Sequence, residues 1–201
     1  MTDFTIAAFF TDIAAQPGDS KANLAINVST FLTILCWIFV AGFIVSRFNP
    51  TLKAKFQDMF SERIFFLAWL VPTVAMVLSL YFSEFLGWRP CPLCWYQRGF
   101  IYSLSLVALI YYFNRAALLR RIGYALAILG PIVSIYHVLL EKFPDLEGGP
   151  TCDPNNPCAA PWFTSLGFLT TAGMALTAAI TTAILLFMTS KAQPKTQISE
   201  S

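Results

Sequence analysis

The sequence predicts an all-α membrane protein: a four-helix transmembrane bundle with one extra transmembrane helix at its N-terminal side. Three observations predict it. Of 201 residues, 57% are hydrophobic and only 12% are charged, where a soluble domain carries about 25% charged residues. Mean hydropathy is +0.64. The apolar residues are gathered into five runs close to the roughly 20 residues that a helix, rising about 1.5 Å per residue, needs to cross a hydrocarbon core of about 30 Å.

The runs cover approximately residues 24–45, 64–86, 99–113, 122–140 and 163–188. The third is the shortest and spans only if Trp95–Arg98 already belong to its helix. Pro72 and Pro131 fall inside spans, where neighbouring helices can satisfy the backbone groups they free. The weakly amphipathic stretch 4–15 reads as a surface segment. The N-terminus does not read as a signal peptide, because Asp3 stands where a basic region should precede the apolar stretch. The expected organisation is therefore residues 1–63 as an N-terminal extracytoplasmic segment, extra helix and cytoplasmic loop, 64–188 as a four-helix domain, and 189–201 as a cytoplasmic tail.

Basic residues orient the spans, since Lys and Arg in short loops favour the cytoplasm. Arg47, Lys53, Lys55 and Arg63 lie between the first and second runs. Arg115, Arg120 and Arg121 lie between the third and fourth, and Lys191 and Lys195 follow the fifth. Nine of the thirteen basic residues thus share one side. The expected topology is N-terminus out and C-terminus in, within a bacterial cytoplasmic (inner) membrane. The net charge of +2, with no basic cluster interleaved with aromatics, argues against a nucleic-acid partner; the lipid bilayer is the expected surrounding.

That topology places two cysteine pairs outside. Cys91-Pro92-Leu93-Cys94 precedes the third span, and Cys152 and Cys158 sit in the one long polar loop of the second half. Disulfides persist on that side of the membrane, whereas the cytoplasm keeps thiols reduced. Two cysteines separated by two residues can close a small disulfide ring. Pro92 biases Cys91 away from helical geometry. Cys94 falls near the first turn of a helix, whose N-terminus favours a thiolate. Arg98 lies one turn further along the same face and can support that thiolate. The stretch between Cys152 and Cys158 is rich in Asp, Pro and Asn, so its disulfide is open to attack by a thiolate from another protein.

Blander readings stand beside these. The four cysteines could be two static disulfides in a structural membrane protein, or a tetrahedral zinc set, although the second spacing is loose and the compartment oxidising. Arg98 and Arg89 could be interfacial anchors. Cys36, between Leu35 and Trp37 in mid-span, reads as a small apolar packing group. His137 is the only histidine and lies within a span near its outer end. An ionisable group there is costly and reads as functional, as a contact to a redox cofactor between the helices, though it could also simply cap.

Taken together, Pro90-Cys91-Pro92-Leu93-Cys94-Trp95-Tyr96-Gln97-Arg98, the upstream Ser79-Leu80-Tyr81-Phe82-Ser83-Glu84, Tyr136-His137-Val138-Leu139, Pro157-Cys158 and Leu166-Gly167-Phe168-Leu169-Thr170 resemble the DsbB family of membrane disulfide-generating thiol:quinone oxidoreductases, in particular its short-loop BdbC-like branch. The resemblance covers residues 64–188 and says nothing of the span before them. It implies a four-helix bundle that reoxidises a secreted thioredoxin-like dithiol oxidase (DsbA-like) and passes the electrons to the membrane quinone pool, as ubiquinone or menaquinone.

By the same resemblance, Cys152 receives the partner, Cys91 and Cys94 form the quinone-proximal pair with Cys94 against the quinone, Arg98 is the cation beside it, and His137 is a ring contact. No metal ligand is implied. The Cys152–Cys158 loop is shorter than in long-loop members, and Gln97 stands where some members carry an acidic residue. A quinone reductase of the vitamin K epoxide reductase type is a further reading, but its C-x-x-C falls late in its bundle.

Overall fold

In the computed structural model, residues 20–147, 152 and 156–192 are described; the amphipathic stretch 4–15 and most of the segment between Cys152 and Cys158 lie outside them. Five helices are long and apolar enough to cross a membrane, and together they make a multi-pass membrane protein. The first, α1 (Ser20–Ser46), leads to a short helix α2 (Pro50–Ser61) that the hydropathy pattern does not announce. Asn49 caps α2 by accepting from the Thr51 N–H at 2.9 Å, with Pro50 as its first residue, the preferred way to start a helix. The bundle proper follows as α3 (Ile64–Leu80), α4 (Pro92–Asn114), α5 (Ala117–Lys142) and α6 (Thr171–Ala192).

The bundle helices pack chiefly in a ring, α3 on α4, α4 on α5, α5 on α6 and α6 on α3, with a smaller contact across it between α4 and α6, while α1 packs outside the ring on α6 and on α2. The order of the helices puts the α3–α4 and α5–α6 connections, and with them both cysteine pairs, at one end. Many large apolar side chains, among them Leu24, Ile38, Leu106, Ile128 and Ile132, point outward and exposed. That is how a helix bundle meets lipid, which is as apolar as the side chains themselves.

Two elements differ from the hydropathy reading. Trp95–Arg98 do belong to the third spanning helix, which begins at Pro92 and reaches full length by that means. The fifth begins at Thr171 rather than near residue 163. Leu166 (φ 55°) and Gly167 (φ 74°) adopt left-handed backbone, which an α-helix cannot pass through. Ser165 and Leu169 instead exchange two backbone hydrogen bonds of 2.7 Å each, making a tight apolar turn that hydropathy alone cannot separate from helix.

At the same end, α3 finishes in a π-helical turn, Tyr81–Phe85, and the chain returns to α4 through Trp88. That ring lies between Phe82 (centroids 5.2 Å, planes 5° apart) and Trp162 (5.8 Å, 4°). Trp162 Nε1 donates to the Arg89 carbonyl and Asn156 Nδ2 to the Pro90 carbonyl, each at 3.0 Å. The two cysteine-bearing connections are thereby fastened to one another.

Candidate functional site

The site starts from a helix beginning. Cys91 is the N-cap of α4, in extended backbone with Pro92 after it, and its Sγ accepts the Cys94 N–H at 3.1 Å. The helix N-terminus therefore aims one of its free N–H donors, that of Cys94 in the first turn, at Cys91. The Cys91 and Cys94 sulfurs are 2.6 Å apart, close to the bonding distance of about 2.05 Å, so the pair needs only a small sulfur movement to close.

His137 comes to this pair from α5. It is almost fully buried, and Nε2 stands 3.6 Å from Cys91 Sγ and 3.1 Å from the Cys158 carbonyl oxygen. On the ring's other side Nδ1 donates to Gln97 Oε1 (3.1 Å), whose amide nitrogen in turn donates to Ser134 Oγ (3.0 Å). This chain fixes the ring plane and turns Nε2 toward the sulfurs. The Cys94 thiol lying against Cys91, and then the His137 ring as donor and nearby charge, hold the Cys91 thiol down at about 5, against the opposing pull of burial.

The second pair is a disulfide, Cys152–Cys158, with Cα atoms 5.8 Å apart. All four of these cysteines share one apolar cluster with Leu93, Leu140 and Val133. Cys158 is buried within it, while Cys152 is partly exposed. Glu147 holds the loop in place, its Oε1 accepting the N–H groups of both Cys158 and Ala159. Because Cys152 and Cys158 are bonded to each other, their sulfurs are not both free to join Cys91 and Cys94 around an ion in this state.

On the other side of Cys94 lies an apolar cavity of about 540 Å³, lined by Cys94, Gln97, Arg98 and residues of α1, α3 and α6. Its size falls in the range of small-molecule sites. Arg98 is buried, donates to the Ser79 carbonyl at 2.9 Å and lies 5.2 Å over the Trp95 ring. Among the described residues no carboxylate pairs with it. Tyr102, one turn further along α4, also lines the cavity, and its hydroxyl is buried without a hydrogen-bond partner. An apolar space with a cation and an unmatched hydroxyl at its wall suits a flat, largely apolar molecule bearing carbonyl acceptors.

The six residues singled out in the sequence thus divide between two faces of Cys94: His137, Cys91, Cys152 and Cys158 on one, Arg98 and the cavity on the other. Sequence reading missed Gln97, Ser134, Glu147 and Tyr102. Gln97, adjacent to Arg98 and facing α5, was readable only as a substituted position, and nothing in the local pattern of Glu147 marks it as the anchor of a loop eleven residues on.

The family profile described as "Disulfide bond formation protein DsbB" matches residues 61–189. The chain belongs to the DsbB family. It is 39% identical over 129 residues to the "Disulfide bond formation protein C" of Bacillus subtilis (strain 168), covering 63% of this chain and 92% of the relative. It is 36% identical over 118 residues to the "Probable disulfide formation protein C" of Halalkalibacterium halodurans, covering 58% of this chain and 85% of the relative. No solved structure gives a significant match. As a DsbB-family member the protein takes part in disulfide formation, an oxidoreductase chemistry that the four clustered cysteines suit. The matched segment begins at α3, so α1 and most of α2 lie outside it.

Proposed function

We propose that this protein is a protein-dithiol:quinone oxidoreductase of the bacterial cytoplasmic membrane, which reoxidises an extracytoplasmic, DsbA-like dithiol oxidase and hands the electrons to the quinone pool. One observation carries the reading: the loop disulfide and the Cys91/Cys94 pair share a single cluster, with His137 between Cys91 and the Cys158 backbone. Two static disulfides would have no need of such contact. We further propose that the cysteine end faces outward, in keeping with the basic residues gathered at the opposite end, and that residues 64–188 form the catalytic unit.

In this scheme a thiolate of the reduced partner attacks Cys152, the more exposed sulfur of the loop disulfide, and Cys158 leaves as the thiolate. The partner's second thiol then attacks its own sulfur in the mixed disulfide, which frees Cys152 and releases the partner oxidised. One thiolate of the loop dithiol next attacks Cys91 of the closed Cys91–Cys94 disulfide and Cys94 leaves as the thiolate; the second loop thiol then attacks the loop sulfur of that mixed disulfide, Cys91 leaves, and the loop disulfide re-forms. Two electrons and two protons now rest on Cys91 and Cys94.

A bound quinone supplies the sink that takes up both electrons and both protons. Cys94 is the residue of the pair that also lines the cavity, so transfer to that site falls to its sulfur. Arg98 supplies the positive charge where negative charge gathers, and in a water-poor site that contribution is large. His137 orients and can give a proton to the Cys91 sulfur.

The experiment is turnover of the purified protein with a reduced thioredoxin-like dithiol oxidase and a quinone. Quinone reduction at the rate of dithiol loss, abolished in Cys91→Ser and Cys94→Ser, is the expected result. Disulfides that stay fixed while both substrates are present would sink the proposal.

A further inference from the structure

The cavity beside Cys94 is not made by the bundle alone. One wall belongs to α1, the helix outside the family match, through Ser29, Thr33 and Cys36; the facing wall is α3, through Val71, Ala75 and Leu78. The α1 residues recur at intervals of three to four positions and so lie on one helical face. All three are small. The hydroxyls of Ser29 and Thr33 are turned back onto their own helix, donating to the Ile26 carbonyl at 2.9 Å and the Ser29 carbonyl at 2.8 Å. What they present to the cavity is therefore hydrocarbon.

The space is kept open by how α1 is fastened. At the cysteine end Ala25 and Ile26 share a cluster with Phe82 and Phe163, and Thr30 Oγ1 donates to Ser165 Oγ at 2.9 Å. Further along, Trp37 Nε1 donates to Thr177 Oγ1 at 3.0 Å, and its ring stacks on Phe168. At the far end Phe39 and Phe43 pack with Phe56 and Phe60 around α2. Thus α1 is fastened at its cysteine end to Phe82 and Phe163, along its length to α6 and at its far end to α2, and it does not pack closely along α3. Leu35 and Ile38, which also line the cavity, are 45% and 63% exposed, so its edge reaches the lipid-facing surface.

We propose that α1 and α3 form the side walls of a channel for the prenyl tail of the quinone, with a lateral entrance from the bilayer at Leu35 and Ile38 and the ring end at Cys94, Arg98 and Tyr102. This rests on the quinone reading above and extends it. The occupant follows from the continuity of the space: one end meets a thiol, a buried cation and the unmatched Tyr102 hydroxyl, and the rest is predominantly apolar, with Cys36 and the Thr177 and Thr181 side chains as its few polar groups, and runs to the lipid face. A prenyl quinone has that same division, a polar ring at one end and an apolar tail at the other. The added helix accordingly sets the preference for tailed over tail-less quinones.

Two measurements test it. In the full-length protein turning over dithiothreitol with quinones of identical, fully substituted ring, Cys36→Phe fills the channel at mid-length. It should raise the KM for the long-tailed quinone about tenfold or more, leave kcat within about twofold, and leave the KM for the tail-less quinone within about twofold. Equal KM values to wild type for both quinones, or the same increase for both, overturns the channel. The second measurement does not depend on turnover. With the other four cysteines changed to Ser, alkylation of Cys36 in nanodiscs by a membrane-permeant maleimide should slow when the long-tailed quinone is added and not when the tail-less one is. Alkylation that neither quinone slows, or that both slow equally, overturns the proposal. A wild-type protein that reduces no quinone yet shows tail-dependent protection would instead sink the quinone-reductase reading and leave the channel standing.

Discussion

His137 Nε2 lies 3.6 Å from Cys91 Sγ, although 46 positions separate the two in the chain. The contact joins the C-terminal part of α5 to the N-cap of α4. Cys91 therefore has three neighbours that favour its ionised form: the Cys94 thiol, the His137 ring and the Cys94 backbone N–H. It is the sulfur of the pair best prepared to be a thiolate, while Cys94 is the one that reaches the cavity.

The first prediction follows from that preparation. A thiol is nucleophilic only as the thiolate, which persists above its pKa, so lowering that value extends reactivity to lower pH. In the reduced protein, alkylation of Cys91 followed by mass spectrometry should show a midpoint near pH 5, well below the ordinary thiol value of 9.0. His137→Phe should move the midpoint upward. An unmoved midpoint would mean that the ring does not act on Cys91.

Cys152 is the expected point of attack because it is the more exposed sulfur of the loop disulfide. Cys158→Ser leaves it unpaired and unable to expel a partner by re-forming the loop bond. Given the partner in its oxidised form, the Cys152 thiolate should attack the partner's disulfide and release one of its sulfurs, and non-reducing gels should then show a mixed disulfide that disappears in the Cys152→Ser, Cys158→Ser double variant. A complex that survives that change and is lost with Cys91 or Cys94 would reverse the order of the two pairs.

Arg98 separates catalyst from anchor. A hydrogen bond from a charged donor contributes about 1.5–3 kcal/mol, so Arg98→Ala should cost about ten- to a hundredfold in kcat/KM for quinone. Arg98→Lys keeps the charge but loses the planar fork, and should retain part of the rate with weaker quinone binding. Rates against quinone concentration at matched expression decide it; unchanged values for Arg98→Ala would reduce the residue to an interfacial anchor.

Orientation is tested in whole cells. After mild reduction, a membrane-impermeant maleimide should label the partly exposed Cys152 from outside. Labelling that requires lysis would place the cysteine end in the cytoplasm.

Much of this was legible from the chain because it depends on local composition. Spanning helices are written as apolar runs of a length set by the bilayer, and the C-P-L-C-W-Y-Q-R stretch announces both a helix start and a reactive pair. Pro92 after Cys91 fixes a helix N-cap by steric rule, and the structure places it there. Where two conformations share one hydropathy, composition failed: residues 163–170 are apolar enough for helix, but Leu166 and Gly167 turn left-handed and delay the helix to Thr171.

Contacts between distant helices were beyond the reach of local pattern. That Gln97 orients His137, that Glu147 holds the Cys158 turn, and that Cys36 lines a cavity all depend on which helix faces stand opposite one another. The sequence by itself determined a membrane protein with five spans and two cysteine pairs in the connections at one end, because burial in lipid and helix initiation are governed by near neighbours. Tertiary structure alone decided that the four sulfurs meet in one cluster and that the added helix stands off α3. Those outcomes depend on side-chain packing between elements tens of residues apart, which no local pattern encodes.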